Sequence, residues 1–304
     1  MDIATLFKMI RPVNIVIAMA TLLIGYFLLG ELPGSETEAL GSARLAAELL
    51  LFAFAIAFAN IQNDILDLES DRANRPERPL VCGKATVKAA KVCSTMFAIL
   101  TIGCGVADGF WAYSAIPTIF AVGLALFLIA YNIKLKHIPL LKNMTVAFLC
   151  ATPLLLCLVS PVGPIESDGA SLEPLTKFAF LFPAMLFAFL LTTAREIYKD
   201  LEDETGDLKA GIMTFPLIAG SATARRLAGA IILFTWISLP LPVFYMDKVF
   251  GHNYPPLFLI ITGITLTPCF AYVLVQAHRK NYRRAQSAVK IGMFLGLIAL
   301  IVSC

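Results

Sequence analysis

Charged residues are scarce in this sequence, and their scarcity excludes an ordinary soluble domain. Only 15% of the 304 residues are Asp, Glu, Lys or Arg, against roughly 25% in soluble globular domains. Hydrophobic residues make up 59% of the chain, and the mean hydropathy is +0.80. They occur in blocks of about twenty, the length that an α-helix needs to cross a bilayer. The blocks are continuous rather than alternating, which favours helices over a β-barrel.

Closely spaced zinc ligands are also missing. The seven cysteines include no CxxC pair, and most lie inside apolar blocks, where a cysteine acts as a small buried hydrophobe. The three histidines, His137, His252 and His278, do not have the spacing of a metal site. The first residues do not combine a charged start, a short apolar core and a cleavage site, so we expect no cleavable signal peptide.

Nine apolar blocks predict an all-α integral membrane protein, a bundle of nine transmembrane helices. We expect a single transmembrane domain over residues 1–304, with a central cavity that opens near the cytoplasmic side. The predicted spans are residues 13–31, 44–62, 90–107, 112–132, 143–161, 176–198, 224–246, 255–277 and 286–303.

Lysine and arginine are distributed unevenly between the two sides of the predicted membrane. Of the 24 basic residues, only Arg44, Lys177 and Lys248 lie in the connecting segments on one side. Cytoplasmic segments of membrane proteins carry the excess of Lys and Arg. The asymmetry therefore predicts an N-terminus in the cytoplasm and Cys304 on the outside, in the inner or plasma membrane of the cell.

The clearest polar motif, NDILDLESD, lies where the second predicted span ends. Asn63, Asp67 and Asp71 are four residues apart, so on a helix they lie within a stripe about 80° wide. Asp64 lies at the edge of that stripe. Carboxylates this close repel one another unless a positive group lies between them. Mg²⁺, a hard cation that takes oxygen ligands and phosphates, is the ion we expect there; a merely solvated helix end is the alternative.

A second acidic cluster repeats the spacing of the first cluster, 136 residues further along the chain (64 to 200). It ends the sixth predicted span, on the same side of the membrane, and each cluster is followed by a loop that ends in Pro-Leu. We therefore predict two related halves, about residues 1–140 and 141–304, each presenting a carboxylate face. The second cluster consists of Asp200, Asp203 and Asp207.

Basic and polar side chains near both clusters indicate a ligand with several negative charges. The guanidinium fork of arginine matches phosphate oxygens, so metal ions and arginines together suggest a diphosphate between the two faces. The positive-inside rule alone would also place many of these basic residues. The candidates for substrate binding are Arg11, Asn14, Asn60, Arg72, Arg78, Tyr131, Lys134, Lys136, Asn143, Arg195 and Lys199.

A metal-bridged diphosphate at the end of a membrane helix bundle suggests one chemistry in particular. An allylic diphosphate ionises to a carbocation once its leaving group is neutralised, and a dry cavity protects the cation from water. The isoprenoid tail would lie along apolar helix faces. A transporter of cations or phosphate esters is the less favoured alternative, because transporter sites lie near the middle of the membrane, whereas both clusters end spans.

These motifs resemble those of the UbiA superfamily of intramembrane prenyltransferases. NDILDLESD matches the family motif NDxxDxxxD in full, REIYKDLEDETGD matches its second aspartate-rich motif, and YNIKLK offers the family's Tyr/Lys element. The resemblance covers essentially the whole chain and implies that both motifs hold Mg²⁺ and a prenyl diphosphate. The implied catalytic residues are Asp67, Asp71, Asp200, Asp203 and Arg72. The implied metal ligands are Asn63, Asp64, Asp67, Asp71, Asp200, Asp203 and Asp207.

Within the superfamily, DRANRPERPL together with AREIYKDLEDETGD is most similar to the enzymes that attach a geranylgeranyl group to geranylgeranylglyceryl phosphate. The implied partners are a prenyl diphosphate, a lipophilic acceptor and the lipid bilayer; we expect no nucleic acid and no obligate protein partner. Prenylation of an aromatic ring or a tetrapyrrole, as in quinone or chlorophyll synthesis, stays open, because chlorophyll synthases share the NxPxRP element.

Overall fold

A computed structural model describes residues 2–30, 40–161, 174–209, 211–250 and 255–302; His252 and Cys304 lie outside these ranges. Every regular element within them is helical, as the continuous apolar blocks predict. The α-helices are α1 (Ile3–Ile10), α2 (Pro12–Leu28), α3 (Ser42–Leu66), α4 (Leu68–Asn74), α5 (Val87–Trp111), α6 (Ile116–Ile133), α7 (Leu141–Val159), α8 (Pro174–Lys209), α9 (Phe215–Ala219), α10 (Ser221–Ser238), α11 (Pro240–Phe250), α12 (Pro256–Ile260), α13 (Thr267–His278) and α14 (Tyr282–Val302). A 3₁₀ turn, Leu135–His137, follows α6, and a π-helical turn, Ile261–Leu266, joins α12 to α13.

The helices confirm the predicted membrane architecture. Within the described ranges, eight segments are long and apolar enough to cross a membrane, and the bent pair α1 and α2 makes a ninth when it is counted as one span. Most helix ends fall within a few residues of the predicted ends. The third span, predicted for residues 90–107, is longer in the structure, since α5 covers Val87–Trp111. The protein is therefore an integral membrane protein.

A bend of 55° separates α1 from α2, and the sequence did not predict α1 as a separate helix. Arg11, between the two helices, has φ 54° and ψ 70°, a left-handed conformation that is typical of helix ends. Pro12 begins α2 and has no N–H with which to continue the hydrogen bonding of α1. Asp2 caps the other end of α1 by accepting a 2.8 Å hydrogen bond from the Thr5 N–H. This local chemistry places Arg11 at a corner beside α3, on which α1 packs.

Helix α8 is 36 residues long, longer than a single membrane crossing requires. At 1.5 Å per residue it extends about 54 Å, whereas the hydrocarbon core of a bilayer is roughly 30 Å thick. The predicted sixth span ends at residue 198, but the helix continues without a break to Lys209. The second acidic motif is therefore helical along its whole length.

The described chain forms two compact units. The first unit comprises Met1–Tyr26, Gly30–Leu135 and Leu156–Ser171, and the second comprises Phe27–Leu29, Lys136–Leu155 and Leu172–Cys304. The relatedness of the two sequence halves stays a prediction, because a division into two units is not evidence of repetition.

Helix α3 is central to the first unit and packs against α5, α6 and α1. A small apolar cluster joins α1 to α3 and includes Met9, Ile61 and Leu80. Helices α5 and α6 approach so closely that a Cβ added at Gly105 would lie 2.3 Å from the Ala121 Cβ. In the second unit α8 packs against α10 and α14. The core around α8 contains Tyr198 and other fully buried side chains.

A buried arginine ties several helix ends of the first unit together, far along α3 from the acidic motif. Arg44 Nε donates a 2.7 Å hydrogen bond to Asp108 Oδ1 on α5. Its Nη2 donates to Ser160 Oγ at 2.9 Å, and its Nη1 donates to the Pro161 carbonyl at 2.7 Å. Arg44 is 7% exposed and Asp108 is fully buried. Because a buried charge is costly unless it is paired and hydrogen-bonded, this arginine fixes α3 against α5 and the end of α7.

Glu48, one turn after Arg44, extends the same network to α2. Its Oε2 accepts a 2.5 Å hydrogen bond from the Tyr26 hydroxyl, and its Oε1 accepts a 3.0 Å hydrogen bond from Ser160 Oγ. Both Glu48 and Tyr26 are fully buried. The sequence indicated Arg44 only as a basic residue of an outer segment, and this network is an addition from the structure.

Candidate active site

The first acidic motif continues across a break between two helices. Helix α3 ends at Leu66, and Asp67, with φ −91° and ψ 8°, joins it to α4. The Asp67 N–H still donates to the Asn63 carbonyl at 2.9 Å, and the Asp71 N–H donates to the Asp67 carbonyl at 2.8 Å. These bonds keep a four-residue helical repeat through the break. Asn63, Asp67 and Asp71 therefore keep the shared face that the sequence predicted.

Arg78 holds two carboxylates of this motif together. Its Nη1 donates to Asp64 Oδ1 at 2.8 Å and to Asp71 Oδ2 at 2.6 Å. The same Asp64 oxygen accepts a 2.9 Å hydrogen bond from Arg11 Nη2. Asp64 and Asp71 are 5% and 6% exposed. The positive charge between these carboxylates is thus supplied by arginine, which offsets their mutual repulsion.

The remaining candidates of the first unit have different surroundings. Asn60 Nδ2 donates to the Ile10 carbonyl at 3.1 Å, so this amide holds the end of α1 against α3. Asn14 is exposed at the start of α2. Arg72 is also exposed, and its ion pair, at 2.8 Å, is with Glu69. The structure does not bring Arg72 to the aspartates of the motif, and its catalytic role stays a prediction without a contact to support it.

The Tyr/Lys element lies at the end of α6 and in the turn that follows. Tyr131 and Lys136 are half-buried, and Lys134 is exposed. Between them, Asn132 is buried and donates to Gln62 Oε1 at 2.9 Å and to the Ala59 carbonyl at 3.1 Å. The sequence analysis missed this amide, which fixes the end of α6 to α3 directly beside the acidic motif.

In the second unit, one buried face of α8 is fastened to the start of α7. Lys142 Nζ donates to Asp200 Oδ1 at 2.7 Å, and Asn143 Nδ2 donates to Asp200 Oδ2 at 3.0 Å. Asp200 is 4% exposed, and both of its oxygens accept a hydrogen bond. Asn143 was predicted as a substrate-binding residue, and the structure shows it as a partner of Asp200. Lys142 was not among the predicted site residues.

Glu196, one turn before Asp200, is a second buried carboxylate that the sequence analysis missed. It accepts hydrogen bonds from Arg195 Nη2 and, at 3.4 Å, from Lys199 Nζ. The available signal was its position inside the predicted sixth span, because acidic residues within membrane spans are rare and usually functional. Glu196 therefore holds two of the predicted phosphate-binding side chains.

The remaining candidates of α8 lie on a more accessible face. Arg195, Lys199, Asp203 and Asp207 are four residues apart on a continuous helix, so they form one stripe. Lys199 and Asp203 are exposed, and Arg195 and Asp207 are half-buried. The stripe has two cations followed by two carboxylates, in the direction of the helix end. It can offer both phosphate donors and metal ligands.

The oxygen donors of both motifs fit Mg²⁺ when phosphate completes its coordination. Asp64, Asp71 and Asp200 accept hydrogen bonds from basic side chains, so their assignment as metal ligands stays a prediction. The more accessible oxygen ligands are those of Asn63, Asp67, Asp203 and Asp207. Within the described ranges, no three His, Cys, Asp or Glu side chains are arranged to hold a metal by themselves. Mg²⁺ commonly takes one or two carboxylates together with water and substrate phosphates, which matches this donor set.

The membrane-spanning helical fold and the two acidic motifs define the class of this protein as an intramembrane prenyltransferase, and comparison with known proteins agrees. The model of the UbiA prenyltransferase family matches residues 17–298. The chain therefore belongs to the UbiA prenyltransferase family, and the predicted enzyme class is confirmed.

Two digeranylgeranylglyceryl phosphate synthases from other organisms align with nearly the whole chain. It is 31% identical over 303 residues to the digeranylgeranylglyceryl phosphate synthase of Methanopyrus kandleri, with 97% of each chain covered. It is 30% identical to the enzyme of the same name from Thermococcus sibiricus. That alignment covers 99% of this chain and 98% of the relative.

Solved structures support the same fold. A structure of digeranylgeranylglyceryl phosphate synthase in membranes superposes with a TM-score of 0.74 at 26% identity, covering 99% of this chain and 97% of the other. A UbiA homologue from Archaeoglobus fulgidus, bound to GPP and Mg²⁺, gives a TM-score of 0.64 at 18% identity, covering 99% and 100%. The second likeness shows the fold alone.

Proposed function

We propose that this enzyme transfers a geranylgeranyl group from geranylgeranyl diphosphate to geranylgeranylglyceryl phosphate and requires Mg²⁺. The observation that supports this most is that accessible aspartates and basic side chains lie together in both acidic motifs, at the ends of membrane helices. Two relatives that match nearly the whole chain are named for this activity. A structural neighbour binds GPP and Mg²⁺, which supports the same pairing of metal and diphosphate here.

The chemistry follows from neutralising the leaving group. Bound Mg²⁺ would supply the charge that lets the allylic C–O bond break and the diphosphate leave. Each motif would hold metal through its more accessible carboxylates, which are Asp67 in the first motif and Asp203 and Asp207 in the second. The hydroxyl oxygen of the acceptor then forms the ether bond to the prenyl carbon, and its proton passes to the released diphosphate. Apolar helices around the site exclude water, which would otherwise capture the prenyl cation.

We also propose that both motifs face the cytoplasm, because 21 of the 24 basic residues lie on their side of the membrane by the predicted layout. Cys82, exposed in the loop that follows the first motif, provides a test. A membrane-impermeant thiol reagent should label it in inside-out vesicles and not in intact cells. A Cys82→Ser variant identifies the signal, and labelling of Cys82 in intact cells would refute the orientation.

The test of the proposed reaction uses the purified, detergent-solubilised enzyme. Geranylgeranyl diphosphate and geranylgeranylglyceryl phosphate are supplied with Mg²⁺ or with EDTA, and the products are identified by mass spectrometry. We expect the doubly prenylated glyceryl phosphate only when Mg²⁺ is present. An aromatic acid and a tetrapyrrole acceptor are assayed in parallel. A product from either of them, with none from the glyceryl phosphate, would replace the proposed acceptor.

A further inference from the structure

Two cations of α8 lie one to three turns before the accessible carboxylates of the same helix. On the stripe that contains Arg195, Lys199 and Asp203, successive members are four residues apart. The rise of an α-helix puts the Lys199 backbone about 6 Å, and the Arg195 backbone about 12 Å, from that of Asp203 along the axis. A phosphate that contacts both cations would therefore be centred before Asp203 on the helix, and metal held at Asp203 and Asp207 would be centred after it.

The ion pairs around these cations are shared unequally. Arg195 and Lys199 share the single carboxylate of Glu196. One turn further on, Lys142 and Asp200 form a one-to-one pair. Glu196 therefore pairs with two cations. In the proposed function, the next accessible carboxylates, Asp203 and Asp207, would hold Mg²⁺. An anion beside Arg195 and Lys199 would then complete the pairing of these two cations.

Unsatisfied donors lie at the same place on α8. Arg195 Nε is buried and has no hydrogen-bond partner among the described residues, and the same holds for Thr192 Oγ1, three residues earlier. Buried donors in proteins nearly always have a partner. Thr192 is fully buried and Glu196 is 5% exposed, so bulk water does not satisfy this region. An anion that reaches the guanidinium supplies the missing acceptor.

The arginines near the first motif have more carboxylate partners than Arg195 and Lys199. Arg78 and Arg11 face Asp64 and Asp71, so two guanidiniums meet two carboxylates. Their charge is balanced within the protein. Arg195 and Lys199, by contrast, share one carboxylate, that of Glu196.

We propose that Arg195 and Lys199 bind the phosphate monoester of the acceptor, and that Glu196 positions both side chains. This inference rests on the proposed function, in which the acceptor is a glyceryl phosphate. The donor's diphosphate goes to the metal ligands Asp203 and Asp207, and the acceptor's phosphate goes to the cations. A phosphate dianion matches the guanidinium fork and the lysine ammonium in charge and geometry. The enzyme consequently selects phosphorylated acceptors through these two residues.

The experiment compares two acceptors that differ only in the phosphate, geranylgeranylglyceryl phosphate and geranylgeranylglycerol. Lys199→Gln and Arg195→Gln are purified with the wild type, and KM is measured separately for each acceptor and for geranylgeranyl diphosphate. Each lost charged hydrogen bond should raise KM for the phosphorylated acceptor about 10- to 100-fold. The KM for the donor should stay at the wild-type value, and the thermal unfolding temperature in detergent shows that each variant is folded.

Arg226→Gln is the matched control, since Arg226 is an exposed arginine of α10 outside the site. Arg195→Lys keeps the charge but loses the fork, so its effect should be smaller than that of Arg195→Gln. Glu196→Gln removes the charge that positions both side chains, so it should raise the KM for the phosphorylated acceptor. The KM for geranylgeranylglycerol should stay unchanged.

The outcomes separate the two proposals. A rise in KM for the donor, with the acceptor unaffected, would assign the cations to the diphosphate and overturn the inference. Unchanged constants in both Gln variants would overturn it as well. A wild-type enzyme that makes no product from geranylgeranylglyceryl phosphate would instead refute the proposed function, and the inference with it.

Discussion

Arg78 donates a 2.6 Å hydrogen bond to Asp71, seven residues before it in the chain. The loop between them thus returns to the helix from which it departs, and the same guanidinium reaches Asp64. Asp67, the central aspartate of the first acidic motif, therefore lies between two carboxylates, Asp64 and Asp71, whose charge is already offset by Arg78.

Removing that guanidinium should damage both stability and activity. In Arg78→Gln, Asp64 and Asp71 lose their common partner and repel each other, so unfolding should become easier by about 3 kcal/mol. The displacement of Asp67 should lower kcat about 100-fold. Thermal unfolding in detergent and steady-state kinetics measure the two effects. Arg75→Gln, which changes an exposed arginine of the same loop, should affect neither, and equal behaviour of the two variants would contradict the role of Arg78.

The aspartates of the second motif should separate into two kinds. Asp203 is exposed, so Asp203→Asn should abolish transfer and raise the Mg²⁺ concentration needed for donor binding, with an unchanged unfolding temperature. Asp200→Asn weakens the pairing with Lys142, so it should lower the unfolding temperature as well. Isothermal titration with Mg²⁺ and the donor, next to thermal unfolding, distinguishes them. Full activity in Asp203→Asn would remove it from the site.

The network around Arg44 should stabilise the first unit without a part in catalysis. Arg44→Met leaves Asp108 and Glu48 as buried carboxylates without a cation, at a cost of about 3–5 kcal/mol. Lys248→Met removes an exposed lysine whose pair with Asp247 is 3.6 Å long, and it should leave unfolding unchanged. Thermal unfolding of both variants is the measurement. An Arg44→Met protein as stable as the wild type would show that the network contributes nothing.

Gly105 and Gly103, two residues apart on α5, offer a packing test. A Cβ at Gly105 would lie 2.3 Å from the Ala121 Cβ and 2.9 Å from the Pro117 carbonyl oxygen, whereas a Cβ at Gly103 meets nothing within 4 Å. Gly105→Ala should therefore destabilise the protein by about 1–3 kcal/mol through overpacking. Gly103→Ala should be neutral or slightly stabilising, because alanine favours helix. Thermal unfolding that ranks the variants in the opposite order would refute the close approach of α5 and α6.

The membrane architecture was predictable because each span is a long apolar block, and hydrocarbon leaves few alternatives to a helix. The end of α8 was not predictable in the same way, since hydropathy falls at residue 198 while the helix continues through the charged residues to Lys209. The bend at Arg11 depends on a backbone conformation that Pro12 allows but does not dictate.

The sequence predicted which residues form the faces of the two motifs, but it did not predict which side chains pair with their aspartates. Four-residue spacing identified the faces of both motifs, because helix geometry alone decides which side chains are neighbours. The partners of Asp64, Asp71 and Asp200 come from other segments: Arg11, Arg78, Lys142 and Asn143. Tertiary packing decides such pairs, which is also why Glu196 and Asn132 were missed.

The engaged oxygens of Asp64, Asp71 and Asp200 have a consequence for inhibitor design. A chelating compound aimed at either motif would have to displace intramolecular ion pairs before it could use those carboxylates. Mg²⁺ held at Asp67, or at Asp203 and Asp207, would be the better anchoring point for a bisphosphonate-like head group, and resistance substitutions should concentrate around these residues.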